Sequence, residues 1–439
     1  MKGIYLQNIL TSLVDKSLLE RRGERYSIHT LIRSYLIKQG ESDEFSPEIS
    51  LSQGKMVKHF LNLCHKLTLL YWSKNGSTEA RRLLQEDAHN VKKVLMLCQE
   101  SVNELTNEEI VQSMQQSEIF QLSCRFFYHF VLHILPQSLI LSFLDTCAKL
   151  AKKQKDAGIE LLVHCLISHM DGHTSGWKSP EYAESIKVAK ETYCRNKEQL
   201  EEKSKLEAYS YYWFNEQCCN KGSLSGDKAR LGLQSYLHLK KNERQSILDE
   251  VDVAITLLQL GRVHRWSEET KSAVAVDCYK EALGYFERLL GNHDLKLCCH
   301  KELGDLHHEQ GDHAEAVSHY EDAMKVHRQL GASNSNISSV YLLKNYGLSL
   351  THMSRMEEGI AYQREALDNA QKLFKNYPQC KIEVYCGLAE TFDKCQNGCS
   401  KAVEFAKKAL DKLGSNCYSN KGVNLKEKMS KIIDRGNHN

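Results

Sequence analysis

Proline and glycine are scarce: four and 24 among 439 residues. A mixed domain with many turns needs more of both, so the shortage points to long helices joined by short connections. No charge of one sign prevails. The 58 basic and 56 acidic residues leave a formal net charge of +2, which gives no electrostatic footprint for nucleic acid and no charged tail. Long apolar runs are missing too. The nearest, FFYHFVLHILPQSLILSFL at 126–144, is interrupted by His129, His133 and Pro136. It reads as a buried helical hairpin, short of the roughly 18 apolar residues of a membrane span. The opening MKGIYLQNILTSLVDK reaches Asp15 and Lys16 without the apolar core of a secretory signal. No string has the G-x-x-x-x-G-K-[ST] spacing that cradles a phosphate; QGKMV at 53–57 lacks the first glycine and the hydroxyl.

Cysteine, by contrast, is plentiful at 16 residues. The thiols stand singly inside amphipathic runs such as FLNLCHKL, VLMLCQE and LLVHCLIS. There a thiol acts as a small buried hydrophobe, and the expected setting is a reducing cytosol.

The chain repeats itself towards its carboxyl end. VAITLLQLGRVHRW, KLCCHKELGDLHHEQGD, VYLLKNYGLSLTHMSRM and IEVYCGLAETFDKC align on Gly261, Gly304, Gly347 and Ala389, which stand 43, 43 and 42 residues apart. Each segment leads to a second helix ending in CYKEAL, HYEDAM, YQREAL or FAKKAL, with landmark residues Ala282, Ala323, Ala366 and Ala409. Seven residues before each stands another small residue: Ala275, Ala316, Gly359 and Ala402. Positions seven apart return to one helix face, so each second helix has a flat stripe against which the first can lie closely. A single pair cannot bury its apolar face, whereas stacked pairs share a continuous core.

With its landmarks in GDLHHEQGDHAEAVSHYEDAM (304–324), the pattern resembles the tetratricopeptide repeat over about residues 250–414. The period exceeds the usual 34 and resembles that of kinesin light chains and nephrocystin. The resemblance implies an all-α fold, a right-handed α-solenoid over 249–414. Upstream, SPEYAESIKVAKETYC and GDKARLGLQSYLHLKK keep a helical period without the full signature, so 158–248 is expected to hold degenerate helical pairs. Ser179 and Pro180 form an expected N-cap and first-turn pair.

At the other end, Ile4, Leu6, Ile9, Leu10, Leu13 and Val14 make a helical stripe. KSLLE and YSIH predict two strands around a tip at RRGER, and Thr30 caps a helix carrying Leu31, Ile32, Tyr35 and Leu36. This resembles the winged-helix segment of NB-ARC proteins, the STAND-class ATPases that include NOD-like immune receptors. In that family a Met-His-Asp motif contacts bound ADP; Ile28, His29 and Thr30 hold the matching positions. RRLLQEDAHNVKKVLMLCQ, with Asn90, resembles the helical element that follows. The resemblance implies domains at 1–40 (partial winged helix), 51–157 (helical linker), 158–248, 249–414, and a tail at 415–439. It also implies the tail end of a longer receptor, in which an NB-ARC ATPase domain precedes these residues. His29 is a cofactor-binding residue only where such an upstream nucleotide domain exists, and the chain itself takes no cofactor.

Two Cys/His-rich stretches invite a metal reading. HDLKLCCHKELGDLHHEQGDH (293–313) places His300 and His307 on the face of Gly304, where packing claims them, and Cys380, Cys386, Cys395 and Cys399 fall within repeat helices. No metal site is expected. The winged-helix recognition segment TLIRSYLIK carries only Arg33 and Lys38, too little charge for DNA. No catalytic Cys–His signature stands out, so the chain is read as a non-enzyme. What remains is recognition of a protein or peptide in the concave groove of the repeats. The groove-facing positions expected from the repeat pattern are Arg262, Arg265, Lys301, Asp305, His308, Lys344, Asn345, Thr351, Glu390 and Asp393. The expected role is the sensor portion of a cytoplasmic NB-ARC-type signalling receptor of innate immunity, without nucleic-acid or membrane contact. The alternative is a stand-alone adaptor of the kinesin light-chain or nephrocystin type.

Overall fold

A computed structural model describes residues 12–13, 19–22, 25–28, 46–104, 107–121, 124–132, 134–174, 179–200, 214–215, 223–242, 246–266, 272–331, 337–373, 378–395, 398–413 and 420–438. The fold is all-α apart from one small hairpin. Strands β1 (Leu19–Arg22) and β2 (Arg25–Ile28) pair antiparallel, Leu19 opposite Ile28 and Arg22 opposite Arg25. KSLLE and YSIH overlap the two strands, but both strands run into the expected tip RRGER, where Arg21 pairs with Tyr26 and Arg22 with Arg25. The expected flanking helices, His29 and Thr30 lie outside the described residues.

An N-terminal helical body follows. Helix α1 (Ser46–Tyr71) is its axis, and around it lie α2 (Ser77–Glu86), α3 (Ala88–Glu104), α4 (Glu108–Gln115), α5 (Glu118–Gln121) and α6 (Cys124–Val131). Val57, Leu61, Cys64 and Leu67 line the buried side of α1 at three- and four-residue steps. The apolar run at 126–144 breaks at Pro136, which precedes α7 (Gln137–Gln154), and the rings of Phe127 and Phe143 meet edge-on across the break, 5.9 Å apart. Helix α8 (Ala157–Thr174) packs between α7 and α9 (Pro180–Asn196). The Ser179 side chain accepts from Tyr182 N at 3.1 Å, with Pro180 in the first turn, as that dipeptide predicts.

The ladder then begins. Helix α10 (Ser223–Asn242) packs on α11 (Ile247–Trp266), and four hairpins follow: α11 with α12 (Ser272–Leu289), α13 (Asp294–Gln310) with α14 (His313–Leu330), α15 (Ile337–His352) with α16 (Met356–Leu373), and α17 (Pro378–Asp393) with α18 (Cys399–Leu413). Helix α19 (Asn420–His438) covers the last hairpin through buried Met429 and Ile432. Within each hairpin the sequence landmarks are the contact. A Cβ on Gly261 would lie 2.5 Å from Tyr279 Cε1, and one on Gly304 would lie 2.6 Å from Tyr320 Cε1. The third hairpin replaces tyrosine by Gln363 and closes further, so that a Cβ on Gly347 would meet Gly359 O at 2.6 Å. In the fourth, buried Ala406 takes the tyrosine position and buried Ala389 the glycine position. A smaller knob tolerates a filled notch.

Helix α11 is buried on every side from Val251 to Gly261, because the N-terminal body also packs on it. Two ion pairs make this joint. Arg125 of α6 bonds Asp252, which also accepts from Tyr236 OH at 2.6 Å; Arg81 of α2 bonds Asp294, which also accepts from Tyr71 OH at 2.8 Å. Beside the second pair two turns interlock: Asn75 N donates to Leu290 O at 2.8 Å, Asn292 N to Asn75 Oδ1 at 3.1 Å, and Ser77 Oγ to Asn292 O at 3.0 Å. Among the described residues no helix is long and apolar enough to cross a membrane.

Candidate partner-binding groove

The first helices of the hairpins touch one another in series: α11 meets α13, α13 meets α15, α15 meets α17, and α17 meets α19. Together they form one row of helices, the candidate inner wall, and the ten residues expected on the groove belong to these helices. Most are tied to a neighbouring rung. Arg262 Nε donates to Glu302 Oε1 at 3.0 Å, and Arg265 reaches Glu302 Oε2 and Glu309 Oε1, both at 2.6 Å. Asn345 Nδ2 donates to Asp305 Oδ1 at 2.7 Å and Lys344 Nζ to Glu383 Oε2 at 3.3 Å. His308 Nδ1 lies 2.8 Å from Ser349 Oγ, and the hydroxyls of Thr351 and Thr391 lie 3.2 Å apart. Glu390 and Asp393 are met by Lys428 and Arg435 of α19, each at 2.8 Å.

Charge sign alternates along the wall. Rung α11 presents Arg262 and Arg265; α13 answers with Glu302, Asp305 and Glu309 around Lys301; α15 presents Lys344; α17 carries Glu383, Glu390 and Asp393; α19 supplies Lys428 and Arg435. Ion pairs thereby join α11 to α13, α15 to α17 and α17 to α19, while Asn345–Asp305 and His308–Ser349 join α13 to α15. Burial alone would neutralise Asp305, yet Lys301 and Arg265 hold its carboxyl well below the usual carboxylate range. Glu302 is likewise lowered against burial, by Lys301, Arg262 and Arg265. The ties differ in strength. Those at Glu302 and Asp305 are buried, so removing one partner strands the other at a cost of about 3–5 kcal/mol. Lys428 and Arg435 are 56% and 63% exposed, and their pairs contribute roughly 0–1 kcal/mol.

Asp305 and Thr351 lie in the interior of the wall, where they serve packing and the ties. Arg262 keeps 26% of its side chain exposed and donates to Glu302 through Nε. The residues that sequence reasoning missed are the partners: Glu302, Glu309, Glu383, Lys428 and Arg435. Their signal is an opposite charge about one repeat away, at separations of 37 to 44 residues for the Arg265 ties.

At one end of the rungs three imidazoles gather. His308 and His313 have ring centroids 5.2 Å apart, and His313 stacks on His352 at 4.0 Å. Lys394 Nζ lies 2.8 Å from His352 Nδ1. Burial first, then His313, push His308 down to about 4. Burial and Lys394 do the same to His352, also to about 4. His300, His307 and His319 form a second group on the α13–α14 hairpin. Among the described residues no group of three or more His, Cys, Asp or Glu is placed to hold a metal ion. Cys299, Cys380 and Cys386 are buried, Cys298, Cys395 and Cys399 are half-buried, and each is a free thiol. Cys395 Sγ donates to Thr391 O at 3.4 Å and Cys399 Sγ to Gly436 O at 3.8 Å. Burial pushes the Cys380 and Cys386 thiols up to about 12, which makes both poor nucleophiles.

No curated protein matched the sequence significantly. Among solved structures, BtubC (BKLC) from P. vanneervenii aligns at 16% identity over 48% of this chain and 90% of its own, with a TM-score of 0.39. A Signal Transduction ATPase with Numerous Domains (STAND) protein with a tetratricopeptide repeat sensor, from Pyrococcus horikoshii, aligns at 15% identity over 96% of this chain and 60% of its own, with a TM-score of 0.44. Aspartyl phosphate phosphatase F from Bacillus subtilis aligns at 12% identity over 87% of this chain and 94% of its own, with a TM-score of 0.40. Residues 251–329 match the family model of the tetratricopeptide repeat, which spans the first two hairpins of the ladder: the chain carries tetratricopeptide repeats.

Proposed function

We propose that this chain is a protein-interaction scaffold whose inner wall, from α11 to α17, receives a protein or an extended or helical peptide. The observation that carries the reading is the series of ties between successive inner helices, which holds one continuous wall at a fixed register. A pre-set wall binds a partner without the entropic cost of ordering itself. Arg262, Lys344, Glu390 and Asp393 are the wall's contact residues on this reading, while Lys301, Asp305 and Thr351 keep the rungs in register. The scaffold has no catalytic role and takes no cofactor.

On the same reading the chain is the sensor portion of a cytoplasmic NB-ARC-type signalling protein. The hairpin at 19–28, the helical body and the repeats follow one another in the order those proteins use, and His29 is the nucleotide-facing residue if an ATPase domain precedes it. The second reading, a stand-alone adaptor of kinesin light-chain type, shares the groove and differs upstream: transcript sequence ahead of the codon for Met1 encodes a P-loop on the first reading and none on the second. The groove itself is tested by selecting random peptides displayed on phage against the full chain. Peptides that bind wild type and lose affinity with Glu390→Lys or Asp393→Lys, whose present partners Lys428 and Arg435 are exposed, support the reading. Peptides indifferent to both changes, or none at all, refute it.

A further inference from the structure

The N-terminal body grips the ladder at two places close to one repeat length apart, and it does so twice by the same chemistry. Asp252 opens the buried part of α11 and takes Arg125 of the body beside Tyr236 and Lys240 of α10; Asp294 opens α13 and takes Arg81 and Tyr71, both of the body. An arginine of the body therefore holds the start of each of the first two rungs. Asn75 and Gly291 both adopt left-handed backbone, φ 59° and 65°, and a Cβ on Gly291 would collide with Asn75 Oδ1. The two turns meet closely because Gly291 carries no side chain. His293 completes it, packed on the rings of Tyr71 and Trp72 at 4.6 and 5.1 Å.

The body does more than touch the ladder's edge. Ile255 and Leu258 stand seven residues before Arg262 and Arg265, on the same face of α11. Both are buried in the apolar core that also contains Val57, Leu61, Leu95 and Leu144 of the body. The face of α11 that carries Arg262 and Arg265 is thus buried along its first half and is partly exposed at Arg262.

We propose that the N-terminal helical body is a brace acting in cis: by holding Asp252 and Asp294 it fixes the angle between the first two repeats and closes the amino-terminal end of the inner wall. The inference deepens the groove reading and rests on it for one consequence, that a partner running the full length of the wall must displace the body. The brace itself is tested without a partner, so failure of the groove reading leaves the test standing. Hydrogen exchange of the full chain is compared with Asp294→Asn and with the milder Tyr71→Phe, which removes one hydroxyl and keeps the ring stack. Local opening reports the loss of a bond to a charged group as exchange faster by on the order of ten-fold. The expected result is that rise in both 71–81 and 251–258, with 340–393 at the wild-type rate. If Asp294→Asn prevents folding, Tyr71→Phe decides alone. A rise confined to 290–298, or no rise, overturns the brace.

Discussion

The hydroxyl of Tyr320, on the outer helix of the second hairpin, donates to Asp305 Oδ1 on its inner helix at 2.8 Å. Asp305 also takes Lys301 at 2.7 Å from its own helix and Asn345 at 2.7 Å from the next rung, with Arg265 of the previous rung at 3.5 Å. One carboxylate therefore joins three rungs and an outer helix. Replacing Asp305 by Ala strands Lys301 and Arg265 in a buried site, and unfolding in urea is expected to show a loss of about 3–5 kcal/mol. A loss under about 1 kcal/mol would show that solvent already shares this cluster.

The glycine notches give a paired prediction. Gly304→Ala forces a methyl against the Tyr320 ring and is expected to cost about 1–3 kcal/mol. Gly284→Ala, in the interior of α12 where a Cβ meets nothing within 4 Å, is expected to gain about 0.5–1 kcal/mol from helix propensity. Melting temperatures of the two variants should move in opposite directions.

Acid should weaken the middle of the ladder. Burial, then His313, Lys344 and His352, outweigh Asp305 to hold His308 near 4, while burial with Lys394, His313 and Lys428 holds His352 near 4. The unfolded chain titrates these rings near 6.5. Their contribution is complete above about pH 6.5 and is lost as pH falls towards 4. A double variant, His308→Gln with His352→Gln, is expected to lose less stability than wild type between about pH 7 and about pH 5. Parallel losses would assign the acid sensitivity elsewhere.

The last rung is held differently. Arg435 pairs with Asp393 in the open, so Arg435→Ala should cost roughly 0–1 kcal/mol and raised salt should erase the difference. Met429→Ala removes a fully buried side chain from the same helix and should cost about 2–5 kcal/mol. Urea titrations of the two variants check whether α19 is held by packing or by charge.

The ladder was legible because its determinants recur locally. Gly261, Gly304 and Gly347 mark the notches, and the small residue seven positions before each landmark alanine marks the face of the second helix that lies against them. The hairpin at 19–28 was legible for the same local reason, in two short strands around a polar tip. The ties across the wall were half legible. Spacing placed Arg262, Lys301 and Lys344 on one side of their helices, but only the register between rungs shows that Glu302 and Glu383 meet them. The brace was not legible at all. Asn75 and Asn292 stand 217 residues apart, in turns with no shared pattern, and their fit depends on where two helical bodies come to rest.

The central claim is that the inner wall receives a partner. Hydrogen exchange of the full chain with a phage-selected peptide bound tests it most directly. The account predicts slowed exchange along the inner helices, at 301–308 and 344–351, with the outer helices at 313–330 and 356–373 unchanged. Protection confined to those outer helices, or spread evenly over both, would contradict it.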